Sequence, residues 1–285
     1  MGLFDRFWGR PPAPPPAPPA SAPPAPPPAA PWPRPLFQPG GAAGHVDLWV
    51  FARDMPFPGG VLRLADEGHV DDALPAGLTL LGFAEADNPP AHAERLEALG
   101  PWLADLPPEL EAAVRALPVH IRISGEVPDP PDLQHLQAAW AAARQACRGG
   151  GAWALDLPIA TWRPAAELLA GPAADPRLAA AWRLLVNPHD LAPRVLIQSM
   201  GLIKVGRPEL IAFVEPGQQD AALAVMSEVA DGMLNGHRPA TRQPYAHAGQ
   251  GFVLEGYAPG FNGPDVGPMG PLQPLLVRLL GPVAE

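Results

Sequence analysis

The sequence predicts an α+β fold, with a mainly antiparallel sheet, helices on one face and a disordered Pro-rich segment before the folded part. Two short apolar, β-favouring runs at 195–197 and 210–214 flank a stretch punctuated by glycine and proline. Residues 118–124 alternate apolar and polar side chains, as a half-buried strand does. Residues 133–147 place apolar side chains at helical spacing. Strands joined by turns, with helices packed against them, make up the α+β class.

The chain begins with MGLFDRFWGR, in which four apolar side chains fall on one helical face: Leu3, Phe4, Phe7 and Trp8. We expect residues 1–10 to be a short amphipathic docking peptide for a membrane surface or a protein groove. The alternative is a frayed terminus or a turn packed on the folded domain, because a helix this short is marginal alone in water.

Residues 11–43 are rich in proline and alanine, and they predict a disordered linker. Such a segment lacks amide donors and apolar bulk, so it cannot build a core and should populate extended polyproline II. We interpret it as a spacer rather than as a ligand for a groove that binds PxxP motifs. Residues 44–285 are then expected to form a single α+β domain.

Local patterns in this domain predict its elements in order. Strands are expected at 46–51, 61–64, 78–84, 118–124, 152–157, 159–162, 195–197, 210–214, 251–257 and 275–280. Helices are expected at 91–99, 108–117, 129–148, 164–170 and 217–235. The expected core contains Val119, Ile121, Ile123, Trp140, Leu196, Ile197, Leu210, Ile211, Phe213, Leu223 and Met226. Cys147 falls on the apolar stripe of its helix, so we expect it to be buried rather than nucleophilic.

Composition excludes several functional classes. Charged residues make up 17% of the 285 positions, the net charge is −10 and Lys204 is the single lysine. A chain without a broad basic surface is a poor non-specific ligand for DNA or RNA. The single cysteine rules out an intrachain disulfide and a multi-cysteine zinc site.

We expect a cytoplasmic location, with peripheral contact to the membrane through the docking peptide as one form of it. Asp5 and Arg6 interrupt the place where a secretory signal would need an apolar core. No apolar run approaches the roughly 18 residues that a spanning helix needs.

Few polar residues are candidates for catalysis or metal binding. Asp156 ends a strand, His189 and Asp190 follow an Asn-Pro turn, and His237 lies near a loop. These four are candidates for a hydrolytic site, although Asp in such turns commonly binds backbone amides. His237 could also bind a metal with Asp231 and His247, but their spacing is not diagnostic. Nucleotide-binding, nucleophile-elbow and zinc-protease motifs are absent from the sequence, so we predict neither a cofactor nor a metal.

One motif resembles a known family. Ser199, Gly201, Leu202, Gly206 and Glu209 match a Thr/Ser-x-Gly-Leu-x-x-x-Gly-x-x-Glu pattern, with Ser in place of the usual Thr. This pattern, together with the MGLFD-type N-terminus, resembles a family of bacterial proteins defined by a domain of unknown function. The resemblance covers residues 118–257 and includes the segment 150–169. It implies an α+β domain with a strand–turn–strand at the motif, and it assigns no catalytic residue.

For function we expect a non-enzymatic cytoplasmic interaction or regulatory protein, tethered through its N-terminal peptide to an unidentified protein partner or to a membrane surface. A hydrolase that uses the Asp and His candidates of a loop pocket is one alternative. An immunity-type protein that binds a toxin is another, suggested by the acidic charge. Two or more of Asp156, His189, Asp190 and His237 within hydrogen-bond reach in one pocket would favour the enzyme.

Overall fold

A computed structural model describes residues 32–57, 62–67, 73–170, 182–188, 194–257 and 274–282. The predicted docking peptide at 1–10, residues 11–31 of the predicted linker, and the candidates His189 and Asp190 lie outside these residues. Within them, the α+β class with predominantly antiparallel sheets is confirmed.

The N-terminal half forms a five-stranded sheet of order β2-β3-β1-β4-β5, in which each neighbouring pair is antiparallel. Alternation along β1 sends Val46, Leu48 and Val50 to one face and Trp49 and Phe51 to the other. Its strands are β1 (Gly44–Ala52), β2 (Leu78–Ala84), β3 (Val119–Val127), β4 (Gly151–Asp156) and β5 (Thr161–Pro164).

Helices cover both faces of this sheet, whereas we expected helices on one face. Trp140 and Cys147 of the longest of them are buried against the Val46 side, together with Leu168 of a short helix that follows β5. Leu103 and Val114 pack on the Trp49 side. The helices are α1 (Pro89–Ala98), α2 (Gly100–Leu103), α3 (Pro108–Arg115), α4 (Gln134–Arg148) and α5 (Ala165–Ala170).

The C-terminal half forms a six-stranded sheet of order β6-β7-β8-β11-β10-β9. Its neighbours are antiparallel except for β8 and β11, which are parallel. One helix, α6 (Gln219–Leu234), packs Met226 and Met233 on the face that carries Ile197 and Phe252. The strands are β6 (Arg183–Pro188), β7 (Val195–Met200), β8 (Leu210–Val214), β9 (Pro244–His247), β10 (Gln250–Gly256) and β11 (Leu275–Pro282).

The predicted core is confirmed for all its members except Phe213 and Leu223, which are half-buried.

None of the helices in the described ranges is both long enough and apolar enough to cross a bilayer.

The prediction that the disordered linker extends to residue 43 is wrong. Residues 32–43, which we call the strap, lie against the folded part instead of being free of it. The strap amides of Leu36 and Gln38 donate to the carbonyls of Asn235 and Gly236 at the end of α6, at 2.9 and 3.1 Å. Its Trp32 carbonyl accepts from the Leu133 amide at 3.0 Å. Because the strap contains non-proline residues with amide donors, it can be held in a way that a pure proline tract cannot.

Candidate functional site: the junction of the two sheets

The two sheets meet at the loop 201–209, which joins β7 to β8. Its centre is a 3-10 turn, Leu202–Val205, flanked by Gly201 and Gly206 in left-handed conformations. A β-carbon on Gly206 would also lie 2.1 Å from the Ala42 carbonyl oxygen of the strap. Glycine is therefore required at 206 both by the backbone dihedral and by the passing strap.

Glu209 closes this loop with its buried carboxylate. Oε1 accepts from the Gly201 amide at 2.8 Å and from the Ile203 amide at 3.3 Å. Oε2 accepts from the Ser199 hydroxyl at 2.5 Å, and that hydroxyl in turn accepts from the Leu210 amide at 2.7 Å. Burial raises the pKa of Glu209, and these donors oppose the rise. The five residues of the sequence motif thus build a turn, with Leu202 in the core beneath it.

Lys204, in the middle of the turn, reaches the other sheet. Its Nζ lies 2.9 Å from Oδ2 of Asp156 at the end of β4, and the two side chains are 2% and 0% exposed. Burial raises the pKa of Asp156, and the Lys204 charge opposes that effect. Oδ1 of Asp156 has no hydrogen-bond partner among the described residues. On α4, the His135 Nε2–H donates to the Lys204 carbonyl at 2.8 Å. We call Lys204 with Asp156 the lysine anchor.

Arg207 forms a second buried connection, and its side chain is 2% exposed. Its guanidinium donates to the carbonyls of Gly236 at 2.9 Å and Gln38 at 3.1 Å, and further to those of Gly206 and His237. It also pairs with Oδ1 of Asp129 at 3.2 Å. We call this group the arginine anchor, because it holds the strap, the loop and the end of α6 together.

Asp129 connects the arginine anchor to the glycines of the strap. Its Oδ2 accepts from the Gly40 amide at 2.6 Å and from the Gly41 amide at 2.9 Å. Partial burial tends to raise the pKa of Asp129, but the two amides and Arg207 outweigh it and lower that pKa.

Arg34 fixes the other end of the strap. It donates to the carbonyls of Pro130 at 2.6 Å, Met233 at 2.9 Å and Leu234 at 3.0 Å. Burial, and then the charge of Arg207, lowers the pKa of Arg34 to about 10. The strap is therefore pinned by buried guanidinium groups both to the start of the α4 region and to the end of α6.

A cavity of about 270 Å³ opens beside the arginine anchor. The strap forms one wall, the end of α6 and the start of β11 form others, and Arg238 stands at its exposed side.

The structure describes two of the four predicted catalytic residues, Asp156 and His237. Asp156 is sealed in the lysine anchor, and no hydrogen bond or ion pair joins it to His237, whose carbonyl instead accepts from Arg207. His189 and Asp190 fall outside the described ranges. In the predicted metal alternative, Asp231 accepts from the Trp182 indole N–H, and His247 is exposed in β9. Across the described part of the chain, no cluster of three or more His, Cys, Asp or Glu could hold a metal ion.

Two stacked histidines lie on the far face of the five-stranded sheet. The rings of His92 and His120 are 4.1 Å apart at an interplanar angle of 22°. Burial, then the neighbouring His92 and Arg95, lowers the pKa of His120 to about 3. Because ring nitrogens bind metals in the ring plane, two stacked rings do not converge on one ion.

Of the anchor residues, only Asp156 is among the candidates for a functional site that the sequence suggests. Arg34 falls in the predicted linker, Arg207 falls between two predicted strands, and Asp129 falls at the start of the helix predicted at 129–148, which begins at Gln134 in the structure. The sequence does distinguish Lys204, because it is the single lysine and its neighbours Ile203 and Val205 are apolar. A charge in an apolar run points to a buried pair, although its partner cannot be identified from sequence.

Comparisons of the chain with protein-family models, with curated proteins and with solved structures found no match. The resemblance to the bacterial family defined by a domain of unknown function stays a prediction.

Proposed function

We propose that this chain is a non-enzymatic interaction or regulatory protein of the cytoplasm, docked through residues 1–10 to a protein partner or a membrane surface. The observation that carries the proposal is the pinned strap. Because the strap is pinned, a tether that leads to residues 1–10 would start from a fixed place on the folded domain. Arg34 and Arg207 supply this fixation.

The strap is a strong attachment point in energetic terms. Hydrogen bonds from a charged donor contribute roughly 1.5–3 kcal/mol each in favourable buried settings. Arg34 and Arg207 each make several of them to carbonyls of the strap, the loop and α6. A force on the N-terminal peptide would therefore reach the junction of the two sheets before the strap detached.

The burial of the polar side chains at the junction also supports a binding role rather than a catalytic one. A general base or nucleophile must reach a substrate. Glu209, Asp156, Lys204 and Ser199 are all buried, and within the described part of the chain their hydrogen bonds are to one another or to backbone groups of the fold. These contacts support a structural role for each of them.

A double variant, Phe7→Asp with Trp8→Ser, tests the docking peptide. It should release the full-length protein from the fraction with which the wild type sediments in a cytoplasmic extract, because it removes the apolar face. Its melting temperature should equal that of the wild type. Leu36→Ser is a matched control, since it removes an exposed apolar side chain from the strap and should leave sedimentation unchanged.

Parallel flotation with vesicles of phosphatidylethanolamine and phosphatidylglycerol separates the two docking targets. Flotation of the wild type but not of the double variant would assign a membrane surface, whereas retention only in the extract would assign a protein. A fall of several degrees in the melting temperature of the double variant would contradict the proposal, because the peptide would then be part of the folded domain.

A further inference from the structure

The cavity beside the arginine anchor has an apolar body. Met233 from α6 and Leu275 from β11 line it together with Pro208 and Pro239. At about 270 Å³ it lies near the lower limit of pockets that hold small organic ligands. An apolar wall of this kind favours a hydrocarbon group over water, since the wall offers water few hydrogen bonds.

Among the described residues, no donor on the deep side of the cavity is left for a ligand. The guanidinium of Arg207 is fully engaged by four carbonyls and Asp129. The amides of Gly40 and Gly41 could otherwise form an anion-binding nest, but both donate to the carboxylate of Asp129. A second anion placed there would meet the negative charge of Asp129, so the deep side suits an uncharged group.

The exposed side of the cavity does offer a cation. Arg238 donates from Nη1 to the Pro39 carbonyl at 2.8 Å, and the described residues give its side chain no other hydrogen bond or ion pair. A β-carbon on Gly40 would lie 2.6 Å from that Nη1, so the glycine lets the guanidinium rest on the strap. The remaining N–H groups of Arg238 can meet a planar carboxylate in bidentate fashion.

The local charge favours an anion at this rim. The charge of Arg207 acts on Arg34, and the charge of Arg238 acts on Arg207. The acidic groups that act on Arg34 and Arg207 are Asp129 and Asp132. Three positive charges against two negative charges leave an excess of one positive charge, in a chain whose net charge is −10. One available guanidinium matches a single carboxylate better than a phosphate dianion, which would need further donors.

We propose that this cavity binds a small apolar monocarboxylate, with its hydrocarbon tail against Met233 and Leu275 and its carboxylate on Arg238. The proposal is argued from the described residues of the cavity wall alone. A ligand held there would also touch the strap, because Gly40, Gly41 and Ala42 form one wall.

Titration calorimetry on the full-length protein, with octanoate as the probe, tests the site. Octanamide has the same tail without the charge, and inorganic phosphate has charge without the tail. Octanoate should bind, and both comparison compounds should bind at least about tenfold more weakly, since a charge-assisted contact typically contributes about tenfold or more in affinity. Labelling the methionine methyl groups with ¹³C locates the ligand, because the Met233 resonance should shift while that of Met55 should not.

Arg238→Gln should weaken octanoate binding about tenfold without a change in melting temperature, because Arg238 is exposed. Arg53→Gln is the matched control, since Arg53 is an exposed arginine outside the cavity, and it should bind as the wild type does. Equal binding of octanoate to Arg238→Gln, tighter binding of octanamide or phosphate, or an absence of octanoate binding would each overturn the proposal. None of these results depends on residues 1–10.

Discussion

The lysine anchor and the arginine anchor are buried at the same junction, but their hydrogen bonding differs. Lys204 meets Asp156 through one contact at 2.9 Å, and the second oxygen of Asp156 has no hydrogen-bond partner in the described part of the chain. Arg207 instead distributes its donors over four carbonyls and Asp129. The lysine anchor joins the two sheets through an ion pair. The arginine anchor joins the strap, the loop and the end of α6 through directed hydrogen bonds.

The difference shows what each cation contributes. Lysine is a compact point charge, and its main role in a dry site is to neutralise a carboxylate. Removing it leaves a buried charge without compensation. Arginine carries five N–H donors in a rigid plane, and its main role here is to donate to several carbonyls at once. Two of them, those of Gln38 and His237, have no other donor among the described residues. The lysine anchor should therefore lose stability when the positive charge is removed. The arginine anchor should lose stability when the planar guanidinium is replaced, even by another cation.

Lys204→Met should have the largest effect. It removes the charge and keeps most of the side-chain volume, so Asp156 stays buried without its cation. Breaking a buried pair in this way costs roughly 3–5 kcal/mol of unfolding free energy. Urea unfolding followed by tryptophan fluorescence would measure the loss.

The double variant Lys204→Met with Asp156→Leu is the control for this prediction. Replacing both members of a buried pair by apolar groups is often neutral, so much of the loss should be recovered. If the single variant unfolds at the wild-type urea concentration, the lysine anchor does not contribute to the stability of the fold.

Arg207→Lys should have the next largest effect, although it keeps the charge. An ammonium group cannot reach the carbonyls of Gln38, Gly236 and His237 together. The Gly236 carbonyl keeps the Gln38 amide as a donor, but those of Gln38 and His237 lose the one donor that the described residues give them. We expect a loss of about 2 kcal/mol, within the range for an unsatisfied buried polar group. Limited proteolysis should also cut the strap faster.

The same substitution at an exposed ion pair provides the contrast. Arg278 pairs with Glu255 and its side chain is half exposed, so Arg278→Lys should change unfolding free energy by well under about 1 kcal/mol. Equal effects at Arg207 and Arg278 would show that shape does not matter at the arginine anchor.

The two anchors also explain which parts of the molecule sequence reasoning could predict. The helix α4 was found because its apolar spacing is a local property, and β3 because its alternation is local. The strap was missed because its local composition resembles that of the preceding proline tract. What orders it is contact between Arg34 and the Met233 carbonyl, 199 positions away, and no local pattern encodes such a contact.

The candidate site was predicted only in part, for the same reason. Asp156 was a candidate for a hydrolytic site, and the structure shows it paired with Lys204, which lies 48 positions away in the turn between β7 and β8. The motif residues were selected by resemblance alone. Their role in closing the turn through Glu209 became visible only with the loop geometry.

A third prediction, with a smaller effect than that of Arg207→Lys, concerns the pH dependence of stability at the lysine anchor. His135 donates to the Lys204 carbonyl, and its pKa is lowered from 6.5 to about 4, mainly by burial. The hydrogen bond to Lys204 and the charge of Asp132 oppose this shift, whereas the charges of Arg34 and Lys204 add to it. Because the unfolded chain takes up a proton on this histidine below about pH 6.5 and the folded chain does not until about pH 4, unfolding free energy falls between these values.

At pH 5 the contribution of His135 to this loss is on the order of 1–2 kcal/mol. His135→Gln keeps an N–H donor for the Lys204 carbonyl and cannot take up the proton, so it should lose less stability than the wild type between pH 7 and pH 5. Some dependence should remain, because His120, with its pKa lowered to about 3, acts in the same direction at a distance from both anchors. Urea unfolding at pH 7, 6 and 5 measures the slope for both proteins. An unchanged slope in His135→Gln would mean that His135 takes up its proton in the folded state as readily as in the unfolded chain, and that acid does not act through the lysine anchor.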